Sequence, residues 1–262
     1  TLHVTVLDKG EPVQGASVSI GGQSVTTDAE GMASKSTTSL LTDSSGTTIS
    51  GLVQVQMSVG QITDLMAWNT SMSMDHTFIA STVQGGTLDS WLELEKAWSP
   101  YHLTSDLVIP VGETMSVNDG VYLRVADEVT ITVQGTFNSG YSTISSMGDG
   151  ARWGGLIVGE DSETTVRVIG TSMVEGSPLI SIGGQSDIVL SHAHFARSSS
   201  AEPLLRSTNS AFMATLSIKS SKFTSLKDAI LLLIAFCSFA LTNDCPASSL
   251  TALSHPRLLK IK

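Results

Sequence analysis

Basic side chains are scarce in this chain. Lys and Arg number 14 against 24 Asp and Glu, a formal charge of −10 over 262 residues. Nucleic-acid binding rests on cationic contacts to phosphate, so this balance argues against such a partner. Cysteine is scarcer still. Cys237 and Cys245 could close one small loop but cannot frame a disulfide scaffold. Cys237 stands in an apolar run, where a buried free thiol is ordinary. Long hydrophobic runs are missing too. Residues 229–241 are apolar but for Ser238, and that stretch is too short for a bilayer-spanning helix, so no membrane span is expected. No crossover-helix pattern separates the strand-like pieces, which excludes a doubly wound α/β sheet. Neither a Ser–His–Asp order, a phosphate loop, a dinucleotide fingerprint nor a calcium nonapeptide stands in a proper context. No initiator Met precedes Thr1, and the chain starts directly on a strand pattern. It reads as an excerpt or a processed form, so targeting signals carry no weight.

What is present is a repeat. Val166-Arg167-Val168 is followed five positions on by Met173, Ile188-Val189-Leu190 by Phe195, and Leu216-Ser217-Ile218 by Phe223. Phe239-Ala240-Leu241, followed by Pro246, keeps only the apolar pair. First positions lie 22, 28 and 23 residues apart. Other apolar clusters fall between them: Leu179-Ile180-Ser181-Ile182, Leu204-Leu205 and Ile230-Leu231-Leu232-Leu233. Period-two alternation points Val166/Val168, Ile188/Leu190 and Leu216/Ile218 to one side. Turn formers such as Gly183-Gly184-Gln185-Ser186-Asp187 separate the pieces. Short strands recurring with a period in the twenties predict a solenoid whose equivalent strands stack coil upon coil. Burying the few aliphatics of one coil does not offset the entropy of ordering its twenty-odd residues, so several coils must share ladders and core.

Upstream the pattern continues less regularly, through Val108-Ile109, Met115-Ser116-Val117, Tyr122-Leu123-Arg124-Val125 and Val129-Thr130-Ile131-Thr132-Val133. Ile109-Pro110-Val111-Gly112-Glu113-Thr114, Asn118-Asp119-Gly120-Val121, Val129 through Thr136 and Trp153-Gly154-Gly155 resemble right-handed parallel β-helix proteins, the pectate-lyase-like superfamily in its broad sense. That resemblance covers roughly residues 100–246 and implies a fold more than an activity. For polysaccharide lyases on this fold it implies Ca²⁺ held by acidic residues and an Arg or Lys base on neighbouring coils. Candidates are Asp127, Glu128, Asp149, Glu160, Asp161, Glu163 and Asp187, with Arg124, Arg152, Arg167 and Arg197. Their plain alternative is solvated turn charge, and no cofactor is expected.

Residues 1–86 alternate from the start: Leu2-His3-Val4-Thr5-Val6, then Ala16-Ser17-Val18-Ser19-Ile20 and Ser24-Val25-Thr26, divided by turns. Strand and turn spacing near ten residues predicts a β-sandwich. Pro12-Val13-Gln14-Gly15-Ala16-Ser17-Val18 and Thr27-Asp28-Ala29-Glu30-Gly31 resemble carboxypeptidase-regulatory-like and related immunoglobulin-like domains, which implies a spacer or binding accessory. Leu52 to Met57 and Phe78 to Ala80 are candidate later strands. Asn69-Thr70-Ser71 is a glycosylation acceptor pattern. Met57, Met66, Met72 and Met74 are read as packing residues rather than a soft-metal site.

The expected order is therefore an all-β chain: a sandwich over 1–86, a linker and solenoid cap over 87–105, a parallel β-helix over 106–246 and an irregular tail over 247–262. In the linker Leu88, Trp91, Leu92 and Trp98 fit helical spacing, while Leu92 and Leu94 fit a strand. Trp91 and Trp98 are expected to cover the open end of the solenoid, with sugar stacking as the functional alternative. His192 and His194 are the sharpest polar pair. A bend near Ser191 must shift parity for Phe195 to point inward, so Ala193 faces in and both imidazoles face out. They could ligate a metal if a third ligand were near; exposed ladder residues are the plain alternative. The functional expectation is a secreted or cell-surface, adhesin-like protein that presents a β-helix face to polysaccharide or surface proteins without catalysis. The alternative is a non-catalytic or partial region of a carbohydrate-active enzyme, a lyase or glycoside hydrolase.

Overall fold

The computed structural model describes residues 1–20, 23–36, 41–42, 48–49, 52–70, 72–148, 150–159, 164–183, 186–196, 205–207, 215–219 and 222–223. The fourth repeat, the apolar run, both cysteines, Arg197 and the tail lie outside the described residues, as do Asp149, Glu160, Asp161 and Glu163. The chain divides into two compact units after Thr82. Among the described residues almost every regular element is a strand, and the one helix is the single 3₁₀ turn Lys96–Trp98.

The first unit holds two four-stranded sheets in a sandwich-like arrangement. In one, Leu2–Asp8 pairs in parallel with Met74–Ile79 and antiparallel with Glu11–Pro12 and Met32–Lys35. The other is antiparallel, ordered Gln23–Thr26, Ser17–Ile20, Leu52–Val59, Ile62–Asn69. Alternation places Leu2, Val4 and Val6 inside from the first sheet, and Val18, Ile20, Val55, Met57 and Trp68 from the second. Met57 is core, whereas Met72 is exposed. Thr27, nearly fully buried, joins the two motif stretches: its hydroxyl accepts from the Ala16 N–H at 2.9 Å and donates to the Val13 carbonyl at 2.5 Å.

The second unit is a parallel β-solenoid of about five turns with three faces. On the first face Gly86–Thr87, Leu107–Ile109, Thr130–Val133, Gly155–Val158, Ile180–Ile182 and Leu205–Ser207 stack in that order. The second face is Leu92–Leu94, Thr114–Val117, Thr136–Ser139, Thr164–Ile169, Ser186–Ser191 and Thr215–Lys219. Tyr101–Leu103, Tyr122–Val125, Thr143–Ser146, Ser172–Val174, His194–Ala196 and Lys222–Phe223 follow one another on the third. Val166, Ile188 and Leu216 share one rung column, Val168, Leu190 and Ile218 the next, and Met173, Phe195 and Phe223 a third. The register read from the repeat is the observed one. Residues 87–105, set apart above as linker and cap, carry strands that stack as a first coil: Leu92–Leu94 pairs with Met115–Val117, and Tyr101–Leu103 with Leu123–Val125.

Inward side chains fill the coil. Leu107, Ile109, Met115, Val117, Val121, Leu123 and Val125 are all buried within one turn of chain. Each buried aliphatic contributes about 1.5–3 kcal/mol. Trp153 is wholly buried and donates its indole N–H to the Val174 carbonyl at 2.9 Å. Aspartates at the corners tie the second coil to the third and the third to the fourth. Asp106 Oδ1 accepts from the Thr130 N–H, Asp127 Oδ1 from the Arg152 N–H and Asp119 Oδ1 from the Tyr141 N–H, at 2.8, 2.7 and 3.1 Å. Part of the acidic excess is thus built into the turns.

Candidate functional site

The corner between the second and third faces is the most regular of the three. From inward residue to inward residue it spans seven positions in three successive coils: Phe137 to Ile144, Val166 to Met173 and Ile188 to Phe195. Equal lengths put equivalent corner residues in straight columns. Inside the corner run Val121, Ser142, Thr171 and Ala193, all buried, joined by backbone bonds from Thr143 to Val121, Ser172 to Ser142 and His194 to Thr171. Outside, one residue earlier in each coil, run Gly120, Tyr141, Gly170 and His192.

Three hydroxyls hold the inner column. Ser139 Oγ lies 2.8 Å from both Ser142 Oγ and Thr171 Oγ1, and Thr171 donates to the Gly140 carbonyl. Ser139 interrupts an aliphatic column, standing between Val117 and Val168. A buried hydroxyl needs a partner, and these three supply one another. The result is a corner fastened from within at the residues flanking Tyr141 and Gly170.

The outer column alternates. Gly120 and Gly170 take left-handed backbone with φ of 78° and 65°. The stem of Lys96 lies on Gly120, where an added Cβ would sit 2.8 Å from Lys96 Cδ. The ring of Tyr141 lies on Gly170, and an added Cβ there would collide with its Cδ1 and Cε1. Tyr141 is 61% exposed, so its other face is open to solvent. Its N–H is held by Asp119, and its carbonyl accepts from the Gly120 N–H at 2.7 Å. His192 follows, exposed, with φ of 54° where the coils before it use glycine or tyrosine.

The histidine pair has the predicted parity. Ala193 is 1% exposed, while His192 is exposed and His194 half-buried. The two imidazoles do different things. His192 Nδ1 sits 2.8 Å from Ser191 Oγ on the corner, and His194 Nδ1 sits 3.5 Å from Ser172 Oγ on the third face. Among the described residues no group of three or more His, Cys, Asp or Glu is placed to hold a metal ion. Asp127 and Glu128 stand at one corner, Asp187 on the second face, Arg124 on the third and Arg167 on the second two coils later. Of these, Asp127 and Glu128 meet the backbone of Arg152 from the next coil, Asp127 Oδ1 accepting from its N–H and the Glu128 N–H donating to its carbonyl. Arg167 and Asp187 stand on adjacent rungs two residues out of register, and Arg124 stands on another face.

Trp91 and Trp98 do not form the expected lid over the core. They stand outside the first coil at different corners, 62% and 37% exposed, and neither joins the core cluster. The reason is local: Trp91 precedes the strand Leu92–Leu94 and Trp98 ends the 3₁₀ turn, so neither occupies an inward strand position. Trp98 shares the second-to-third corner with Lys96. Tyr122, 54% exposed, stands close by on the third face, its N–H donated to Ser99 Oγ at 2.8 Å. Tyr141 and Tyr122 were missed as site candidates because their exposure follows from rung register, not from local pattern.

No protein-family model matches the chain, and neither a curated protein nor a solved structure matches it. Likeness to pectate-lyase-like proteins therefore extends to the parallel solenoid and no further. Among the described residues no helix is long and apolar enough to cross a membrane.

Proposed function

We propose that this chain is a non-catalytic, glycan-binding part of a secreted or cell-surface protein. The solenoid serves as the rigid rod, the sandwich-like unit as its spacer, and the second-to-third corner as the binding surface. The observation that carries this reading is Tyr141, a largely exposed ring already fixed on Gly170 and by two backbone hydrogen bonds. Exposed aromatics held in one geometry lose little further entropy on binding, and Tyr combines an apolar face with a polar tip. Tyr122 on the adjoining coil and Trp98 on the coil before that widen the aromatic surface. Outward hydroxyls on the second face, Thr114, Thr136 and Thr165 in one column, supply hydrogen-bonding partners of the kind sugars use.

Purified protein on a glycan array tests the reading, beside a calcium-dependent lyase assay on acidic polysaccharides. The expected result is retention of a polysaccharide without turnover, reduced about tenfold or more by Tyr141→Ala. Release of unsaturated product that disappears in Arg167→Ala would overturn it, and so would failure to retain any glycan.

A further inference from the structure

The outer corner column carries a spacing as well as a surface. Lys96 lies on Gly120 across the first and second coils, Tyr141 on Gly170 across the third and fourth, and His192 opens the fifth. Exposed side chains thus alternate with glycine at every second coil. Rungs of a parallel sheet are roughly 4.8 Å apart, so these platforms recur about every 10 Å along the axis. From inward residue to inward residue the corner is nine positions in the first coil (Leu92 to Tyr101), eight in the second (Met115 to Leu123) and seven from the third to the fifth, so the file is straight from Tyr141 to His192 while Lys96 reaches Gly120 from a longer bend.

His192 adds a second, independent observation. Left-handed backbone is costly for a residue with a side chain, and the equivalent positions two coils and one coil earlier are Tyr141 and a left-handed Gly170. Glycine would satisfy that corner at no steric cost. A strained non-glycine residue kept on an exposed edge points to use of its side chain.

Resting on the glycan reading above, we infer that this column reads a linear polysaccharide of 1,4-linked β-pyranoses lying along the solenoid axis, with every second sugar on a platform. In such a chain neighbouring sugars are flipped, so alternate rings present the same face, and the two-sugar repeat is close to two coil rises. An extended peptide repeats its side every 6.6–6.8 Å or so and drifts out of step after one platform. A polyproline II peptide turns once in about 9.3 Å and is the rival on spacing. Its usual dock is an aromatic-lined groove, whereas Tyr141 and His192 stand on an outer corner with Gly170 between them. Lys96 and His192 provide donors for ring and hydroxyl oxygens at either end of the Tyr141 ring.

The test is calorimetric titration of the full chain with 1,4-linked β-oligosaccharides of one to six sugars, and with a proline-rich peptide. Affinity is expected to step up by about tenfold at the third sugar and again at the fifth, with little gain at the second and fourth. In His192→Gly, which installs the residue that Gly170 exemplifies, the pentasaccharide should bind no better than the trisaccharide. A smooth gain per sugar, or steps indifferent to His192→Gly while Tyr141→Ala abolishes binding, would sink the spacing inference and leave the glycan reading standing. Binding of the peptide with no saccharide bound at any length would remove both.

Discussion

Thr171→Val isolates the buried hydroxyl cluster, because valine keeps the shape and removes the oxygen. Thr171 is 0% exposed. Its hydroxyl serves the Gly140 carbonyl and sits within hydrogen-bond reach of Ser139 and Ser142. Losing it removes the donor to that carbonyl and one of the two partners of Ser139, which costs about 1–3 kcal/mol. The extra buried methyl returns about 0.8 kcal/mol. The expected net loss is therefore about 0.2–2.2 kcal/mol, read as a lower urea midpoint with an unchanged slope. Ser139→Ala alone should cost about 1 kcal/mol, since it takes the short partner from Ser142 and leaves it only the 3.4 Å contact to Thr171. Ser139→Ala, Ser142→Ala and Thr171→Val together leave no hydroxyl without a partner, and the Gly140 carbonyl that loses its donor is the one cost they share with Thr171→Val. That triple variant should fall within about 1 kcal/mol of the parent, well short of the summed single losses. The buried Trp153 reports unfolding of this part of the rod. A triple variant as unstable as the single losses added together would refute the reasoning, because the hydroxyls would then be acting independently.

Gly155 has φ of 90°, and an added Cβ would collide with the Pro178 carbonyl, so Gly155→Ala should lower stability by about 2–4 kcal/mol in the same titration. Asp106→Ala removes the acceptor for both the N–H and the hydroxyl of Thr130, at 2.8 and 3.0 Å; the site is exposed, and a loss of about 0.5–1 kcal/mol is expected. His192→Gly relieves left-handed strain and should raise stability by up to about 1 kcal/mol while weakening binding of long glycans, an opposition that thermal melts and titration of one preparation can check.

The solenoid's ladders were legible because two signals coincided. Strict alternation identified inward pairs such as Val168 and Leu190, and the fixed offset to Met173, Phe195 and Phe223 carried the register around one corner. The first face was less legible, since strands of three residues such as Ile180–Ile182 offer too few positions for a period to show. Trp91 and Trp98 were misjudged as a lid because bulk and apolarity do not say whether a residue occupies a strand or the turn beside it. The parity shift at Ala193 could be deduced, since Phe195 had to point inward. The pairing of Tyr141 with Gly170 could not, because it joins residues 29 apart through a register that only stacked coils reveal. The strand Ile62–Asn69 in the first unit was likewise missed, its outward Leu65 and half-buried Asp64 blurring the alternation.

The two remaining corners are uneven. Between the third and first faces the count from inward residue to inward residue is eight from Leu123 to Ile131 but twelve from Ile144 to Leu156, yet the strands on either side stay in step. Extra chain at these bends therefore bulges outward without disturbing the rungs. Such edges are natural attachment points, where a tag, an epitope or a new loop can be grafted near Gly148 while the opposite edge keeps its ruler straight.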